Sequence, residues 1–174
     1  MYPVRLRQFA MTRTSTDPFL GAPAPAFCLP DAAGKRVCIE DFRGRWVVLY
    51  AYPRDGTPGC TLEARLFSDA FDTFEALNAT VLGVSSDPPE KHAAFARKHA
   101  LRHRLLSDRE HDLLEPYGAW KEKKLYGKVM MGTERSTFLI DPAGTIRAVW
   151  RRVKVPGHPD EVRATLASLT AGET

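Results

Sequence analysis

The sequence predicts an α/β fold built on a mixed central sheet with helices on both sides. Three observations carry that reading. Residues 46–52 (W-V-V-L-Y-A-Y) form an almost continuous apolar, β-rich run, the pattern of a strand buried on both faces. A Pro/Gly loop and a long amphipathic stretch then lead to a second apolar run at residues 81–84, which makes a βαβ unit with a right-handed crossover between parallel strands. Finally, residues 136–140 and 145–150 are β-rich runs joined by Asp-Pro-Ala-Gly, whose Pro and Gly suit a type I turn and an antiparallel hairpin.

The elements follow in order. The Pro-rich stretch 21–25 marks the entry to the domain, and residues 27–29, D-A-A-G-K and residues 37–39 read as a short hairpin. The first long strand stops at Pro53. From Cys60, the apolar positions Leu62, Leu66, Phe67, Ala70, Phe71, Phe74 and Leu77 recur at helical spacing, which predicts one helix of about five turns. Asp87-Pro88-Pro89 opens a second helix through His99, with Asp87 suited to the N-cap and proline tolerated in the first turn. Leu105 to Ser107 reads as a strand, and Asp108 caps a helix that ends near Tyr117-Gly118. A last helix covers residues 159–169, with Val162, Leu166 and Leu169 on one face. Residues 1–16 read as a disordered tail, with Met1 or Met11 as the start, and residues 17–174 as a single domain.

Composition narrows the function. A chain of 174 residues that is 44% apolar needs neither disulfide nor metal to support its core. The net charge of +4 is spread over small clusters, Arg43 and Arg45, Lys121, Lys123 and Lys124, and Arg151, Arg152 and Lys154. None is long enough for a nucleic-acid-binding tail, so a mildly basic solvated surface is the reading adopted. No run reaches the length of a membrane span and no secretory signal is evident, which points to the cytoplasm. The three cysteines are few and odd in number, with no C-x-x-C and no Cys/His ligand spacing, so structural zinc is not expected. His92, His99, His103 and His111 lie among charged residues and read as solvated. His158 reads as a cap or packing residue before the last helix, and Trp46, Trp120 and Trp150 as core or near-core aromatics, with Trp120 a candidate to line a pocket.

The chemistry converges on Cys60. A strand that ends at the carboxyl edge of a sheet and feeds a helix through a tight loop places the first helical residues at the usual ligand crevice. Free peptide N–H groups and the helix dipole there favour a thiolate, which is the nucleophilic form. A cysteine at a helix start is more often packed than reactive, Thr57-Pro58-Gly59 alone is an ordinary turn, and Arg135 alone is an ordinary loop arginine. Their conjunction is specific. P-R-D-G-T-P-G-C, residues 53–60, matches the P-x-x-x-T-x-x-C pattern of the peroxiredoxins, and Y-P-R-D-G-T-P-G-C-T-L-E-A resembles the branch called bacterioferritin comigratory protein or peroxiredoxin Q. F-C-L-P-D-A-A-G-K, R-S-T-F-L-I-D-P-A-G and V-P-G-H-P-D-E-V resemble its entry hairpin, late hairpin and last helix.

The resemblance implies a thioredoxin-like fold with peroxiredoxin insertions, no cofactor or metal, and a thiol-dependent peroxidase acting on hydrogen peroxide and organic hydroperoxides. It implies Cys60 as the peroxidatic cysteine, which becomes a sulfenic acid. Thr57 matches the threonine that contacts thiolate and peroxide, Pro53 the proline that shields the thiolate, and Arg135 the arginine that favours the thiolate and polarises the peroxide. Glu63, one turn into the helix, is a candidate to orient Arg135. Thioredoxin or another thiol is the implied reductant, and a monomer the implied state. Competing functions are a peroxide sensor or redox-switched holdase using the same cysteine, and a thiol–disulfide oxidoreductase.

The chain departs from that branch in its other cysteines. The position five residues after Cys60, where many members carry a resolving cysteine, is Arg65, and the following helix holds no cysteine. Three readings of Cys28 and Cys38 stand. An outside thiol resolves Cys60 directly, which is the reading preferred; one of the two resolves it after local unfolding; or the two face each other across the entry hairpin and pair or fill space.

Overall fold

The computed structural model describes residues 16–172, so nearly all of the tail predicted for residues 1–16 lies outside them. At the centre stands a five-stranded sheet in the order β5-β4-β3-β8-β9. Its strands are β3 (Trp46–Ala51), β4 (Ala79–Ser85), β5 (Arg104–Ser107), β8 (Ser136–Ile140) and β9 (Ile146–Trp150). β3, β4 and β5 run parallel, and β8 joins β3 antiparallel. The mixed sheet is therefore the one predicted. Each residue of β3 is buried because its alternate side chains enter different clusters: Val47, Leu49 and Ala51 one, Trp46, Val48 and Tyr50 the other.

Among the described residues four α-helices accompany the sheet: α1 (Pro58–Asp69), α2 (Phe71–Ala76), α3 (Pro89–Lys98) and α4 (His158–Ala171). All four contribute to the second cluster, through Phe67, Phe74, Phe95, Val162 and Leu166 among others. Both parallel crossovers step the same way across the sheet, so right-handedness puts their helices on one face. The other face is closed by short pieces instead: Leu29 and Val37 of the entry hairpin, Ile39 and Phe42 of a 3-10 turn, and Leu113, Leu114 and Tyr117 of an irregular segment.

Several predicted elements change form. The five-turn helix breaks at Ala70 (φ −87, ψ 5) into α1 and α2, a break that apolar spacing alone does not register. Pro88, not Asp87, is the N-cap of α3, because the Asp87 carboxylate is engaged by the Ser85 hydroxyl at 2.7 Å and the Asp55 N–H at 2.8 Å. Asp108 does cap, accepting from the N–H groups of Asp112, Leu113 and Leu114, but turns follow it rather than a regular helix. The sequence reading missed a ribbon of β6 (Trp120–Leu125) and β7 (Lys128–Thr133), which pair only with each other. Its turn has positive φ at both Tyr126 and Gly127, a primed hairpin turn that glycine accepts readily and tyrosine does not. Trp120 packs against the first cluster and stacks on His111, with ring centroids 3.7 Å apart.

The entry hairpin forms as predicted, from β1 (Cys28–Pro30) and β2 (Arg36–Cys38). Cys28 stands opposite Cys38 between the bonded pairs Phe27/Ile39 and Leu29/Val37, and the two are joined by a disulfide. No described helix is long and apolar enough to cross a membrane.

Candidate active site

β3 delivers the chain to residues 53–57, and that loop sets Cys60 in the first turn of α1. Gly56 takes φ +82, a left-handed conformation that glycine adopts without strain and that turns the chain toward the helix. Pro58 is the first helical residue, where a missing N–H costs nothing. Cys60 is the only free cysteine and is 1% exposed, packed in the second cluster with Ala64 and Phe67.

Arg135, from the link between β7 and β8, reaches over this turn. Its Nη2 donates to the Cys60 Sγ at 3.3 Å, and its Nη1 to Glu63 Oε1 at 2.7 Å. Burial opposes the guanidinium charge, but Glu63 and Cys60 outweigh it and hold Arg135 above its ordinary range. Burial likewise pushes the fully buried Glu63 up to about 7 against the pull of Arg135, and its second carboxylate oxygen has no hydrogen-bond partner among the described residues. Gly59 leaves room for the arginine, since a Cβ there would lie 3.3 Å from Nη2. His158 packs edge-on against Phe67 of α1, its Nε2 2.8 Å from the Thr137 hydroxyl. Burial, then Arg135, lowers it to about 4.

Cys60, Glu63 and Arg135 thus meet. Thr57 lies at the N-cap, but its hydroxyl donates to the Arg54 carbonyl at 3.2 Å rather than to Cys60. Pro53 is half-buried at the start of the loop. Cys28 and Cys38 lie elsewhere: Leu29 and Val37, their neighbours on the hairpin, belong to the cluster on the opposite face of the sheet from Cys60.

The chain bearing this geometry has close relatives. Residues 20–149 match the AhpC/TSA family, and Peroxiredoxin Bcp of Bacillus subtilis is 46% identical over 151 residues, 87% of this chain and 96% of that protein. The chain is a peroxiredoxin of the AhpC/TSA family. Peroxiredoxin Bcp of Escherichia coli K12 is 43% identical over 139 residues, 80% of the peroxiredoxin described here and 89% of that protein. A solved structure of the bacterioferritin comigratory protein of Xanthomonas campestris, described for its alkyl peroxide reduction, superposes with a TM-score of 0.80 at 38% identity, covering 83% of this peroxiredoxin and 92% of that chain. The thioredoxin-like fold is thereby established as well.

Two histidines read as solvated prove to be buried in this peroxiredoxin. His92 is fully buried, with Nδ1 2.6 Å from Asp55 Oδ2 and Nε2 3.0 Å from the Leu106 carbonyl. Asp55 also accepts from the Tyr52 hydroxyl at 2.6 Å, so the loop that carries Thr57 is anchored to α3 and β5. Asp55, Asp87 and His92 converge closely enough to suggest a metal site. Their atoms are already engaged with one another, Ser85 and the backbone, which suits a hydrogen-bond network better than an ion. His103 is buried against Tyr50, 2.7 Å from its hydroxyl, and burial lowers it to about 4. The signal for His92 was present at helical spacing from Phe95 on the inner face of α3, but a histidine among charges reads as surface until its partners are placed.

Proposed function

We propose that Cys60 is the nucleophile with which this peroxiredoxin reduces hydrogen peroxide and organic hydroperoxides. The contact chain Glu63–Arg135–Cys60 at the start of α1 carries the reading. The Cys60 thiolate attacks one peroxide oxygen, the O–O bond breaks, and the sulfur keeps that oxygen as a sulfenic acid. The other oxygen takes up a proton and leaves as water or alcohol. Arg135 donates to the sulfur and to the charge that develops on the departing oxygen, and Glu63 holds its guanidinium plane by the second donor. The Thr57 hydroxyl turns from the Arg54 carbonyl to the bound peroxide, and Pro53 keeps water from the thiolate. A thiol then attacks the sulfenic sulfur as water leaves, and a second thiol releases Cys60 as a disulfide forms. The terminal reductant is thioredoxin or another thiol, with the enzyme working as a cytoplasmic monomer, without cofactor, nucleic acid or membrane.

Peroxide consumption in the presence of a thiol reductant tests this, with sulfenic-acid trapping by dimedone and peptide mapping. The wild type should turn over many equivalents and carry the adduct on Cys60, and Cys60→Ser should consume none. An unlabelled Cys60 in a protein that consumes peroxide would overturn the assignment.

A further inference from the structure

We infer that Cys28 and Cys38 form a second redox centre, a dithiol that reduces the Cys60 sulfenic acid of another copy of the chain. The inference rests on Cys60 being the oxidised nucleophile. Cys28 is exposed and Cys38 half-buried on the outer face of the entry hairpin, and exposed disulfides are the ones that exchange. Charges of both signs border the pair: Arg36 stands two residues before Cys38 on the same face of β2, and the Glu40 carboxylate lies within 4.8 Å of both sulfurs. The position opposite Cys38 in a pair without ladder bonds, with Cα atoms 4.0 Å apart, lets the second sulfur follow the first without movement of the backbone.

Transfer within one molecule is blocked by the fold. Phe27, Leu29, Val37 and Ile39 anchor the hairpin in the cluster opposite Cys60. Carrying a hairpin thiol to Cys60 would strip all four from the core. Transfer between molecules requires only that the first turn of α1 open, and that turn has no side-chain cap, since Thr57 bonds Arg54 instead.

The Cys28 thiolate attacks the sulfenic sulfur of the other copy, the S–O bond breaks, and water leaves with a proton. The resulting Cys60–Cys28 mixed disulfide is attacked at the Cys28 sulfur by the Cys38 thiolate. Cys60 departs as a thiolate and Cys28–Cys38 closes. One sulfenic acid is reduced and one dithiol oxidised. The covalent state of the structure, Cys60 free and Cys28 joined to Cys38, is the product of that cycle. The external thiol then reopens the exposed hairpin disulfide, a far more accessible target than buried Cys60.

Two variants separate donor from acceptor. A Cys28→Ser/Cys38→Ser chain is oxidised with one equivalent of hydrogen peroxide, then mixed with reduced Cys60→Ser chain. Dimedone-reactive sulfenic acid should disappear at a rate that rises about tenfold when the donor concentration rises about tenfold, because the encounter is bimolecular. Alkylation mapping should find Cys28–Cys38 joined, and a Cys38→Ser/Cys60→Ser donor should accumulate a Cys60–Cys28 dimer. A sulfenic acid that persists unchanged beside the dithiol would overturn this inference alone. Failure of the acceptor to form any sulfenic acid would overturn the role of Cys60 and this inference with it. In reduced wild type treated with peroxide, formation of Cys28–Cys38 at a rate independent of protein concentration would also overturn it, and that measurement needs no variant.

Discussion

Replacing Glu63 by glutamine tests the electrostatics of the site directly. Glu63 is buried and lifted from its ordinary 4.5 to about 7, so the folded chain binds its proton more tightly than the unfolded chain. Its contribution to stability is therefore full below pH 4.5 and lost as the pH rises toward 7, a difference of about 3 kcal/mol across that window. Glu63→Gln has no such proton to lose. Relative to wild type, the variant should gain about 3 kcal/mol between pH 4.5 and pH 7.5, from an offset at pH 4.5 set by packing. His103 and His158, lowered to about 4, act the other way and favour the folded state as pH rises from 4 to 6.5. They are present in both proteins and cancel in the difference. Urea unfolding followed by tryptophan fluorescence at several pH values measures it, Trp46 and Trp150 being buried reporters. Glutamine keeps a carbonyl oxygen for Arg135 but not the charge, so reaction with peroxide should slow by about tenfold at pH 7.5 as the guanidinium loses its brace. A stability difference flat across this range would refute the buried-carboxylate reasoning, and an unchanged peroxide rate would refute the brace.

Three further outcomes are expected. Arg135→Gln should lower the rate of Cys60 oxidation by about 100-fold, since it removes the donor at 3.3 Å from the sulfur, and stopped-flow peroxide kinetics reads the loss. An effect below threefold would remove Arg135 from the chemistry. His92→Phe takes the imidazole from Asp55 Oδ2 and the Leu106 carbonyl and should destabilise the chain by about 3 kcal/mol in urea, while wild-type stability would show that the network does not hold the loop. Gly83→Ala should cost about 1–3 kcal/mol, because a Cβ there would meet the Tyr50 ring at 2.8 Å and Leu105 at 2.9 Å; a neutral result would mean that these side chains repack freely.

Much of the architecture is written in local pattern. The continuous apolar run that becomes β3, the paired runs around Asp-Pro-Ala-Gly and the opposition of Cys28 and Cys38 all follow from side-chain period and turn chemistry, which act over a few residues. The ribbon of β6 and β7 was not legible for the same reason. β6 is a charged run from Lys121 to Lys124, and the apolar residues of β7, Val129, Met130 and Met131, stay exposed, so no buried face marks them as strands. Nor does spacing reveal the break at Ala70, because the apolar positions of α1 and α2 stay in register on either side of it.

By itself, the sequence determined that a cysteine heads a helix behind a Pro/Gly loop, and that Thr57, Arg135 and Pro53 accompany it in the pattern of a known family. Only the tertiary structure decided which of these groups meet. Arg135 lies at a distance of 75 residues from Cys60 along the chain, and β8 pairing beside β3 brings it to 3.3 Å. Tertiary structure also buried His92 against Asp55, turned the Thr57 hydroxyl to Arg54, and set the hairpin disulfide on the opposite face of the sheet from Cys60. Local pattern reports the period of a strand or helix, whereas contacts between distant residues depend on strand order and crossover hand, which no short stretch of sequence contains.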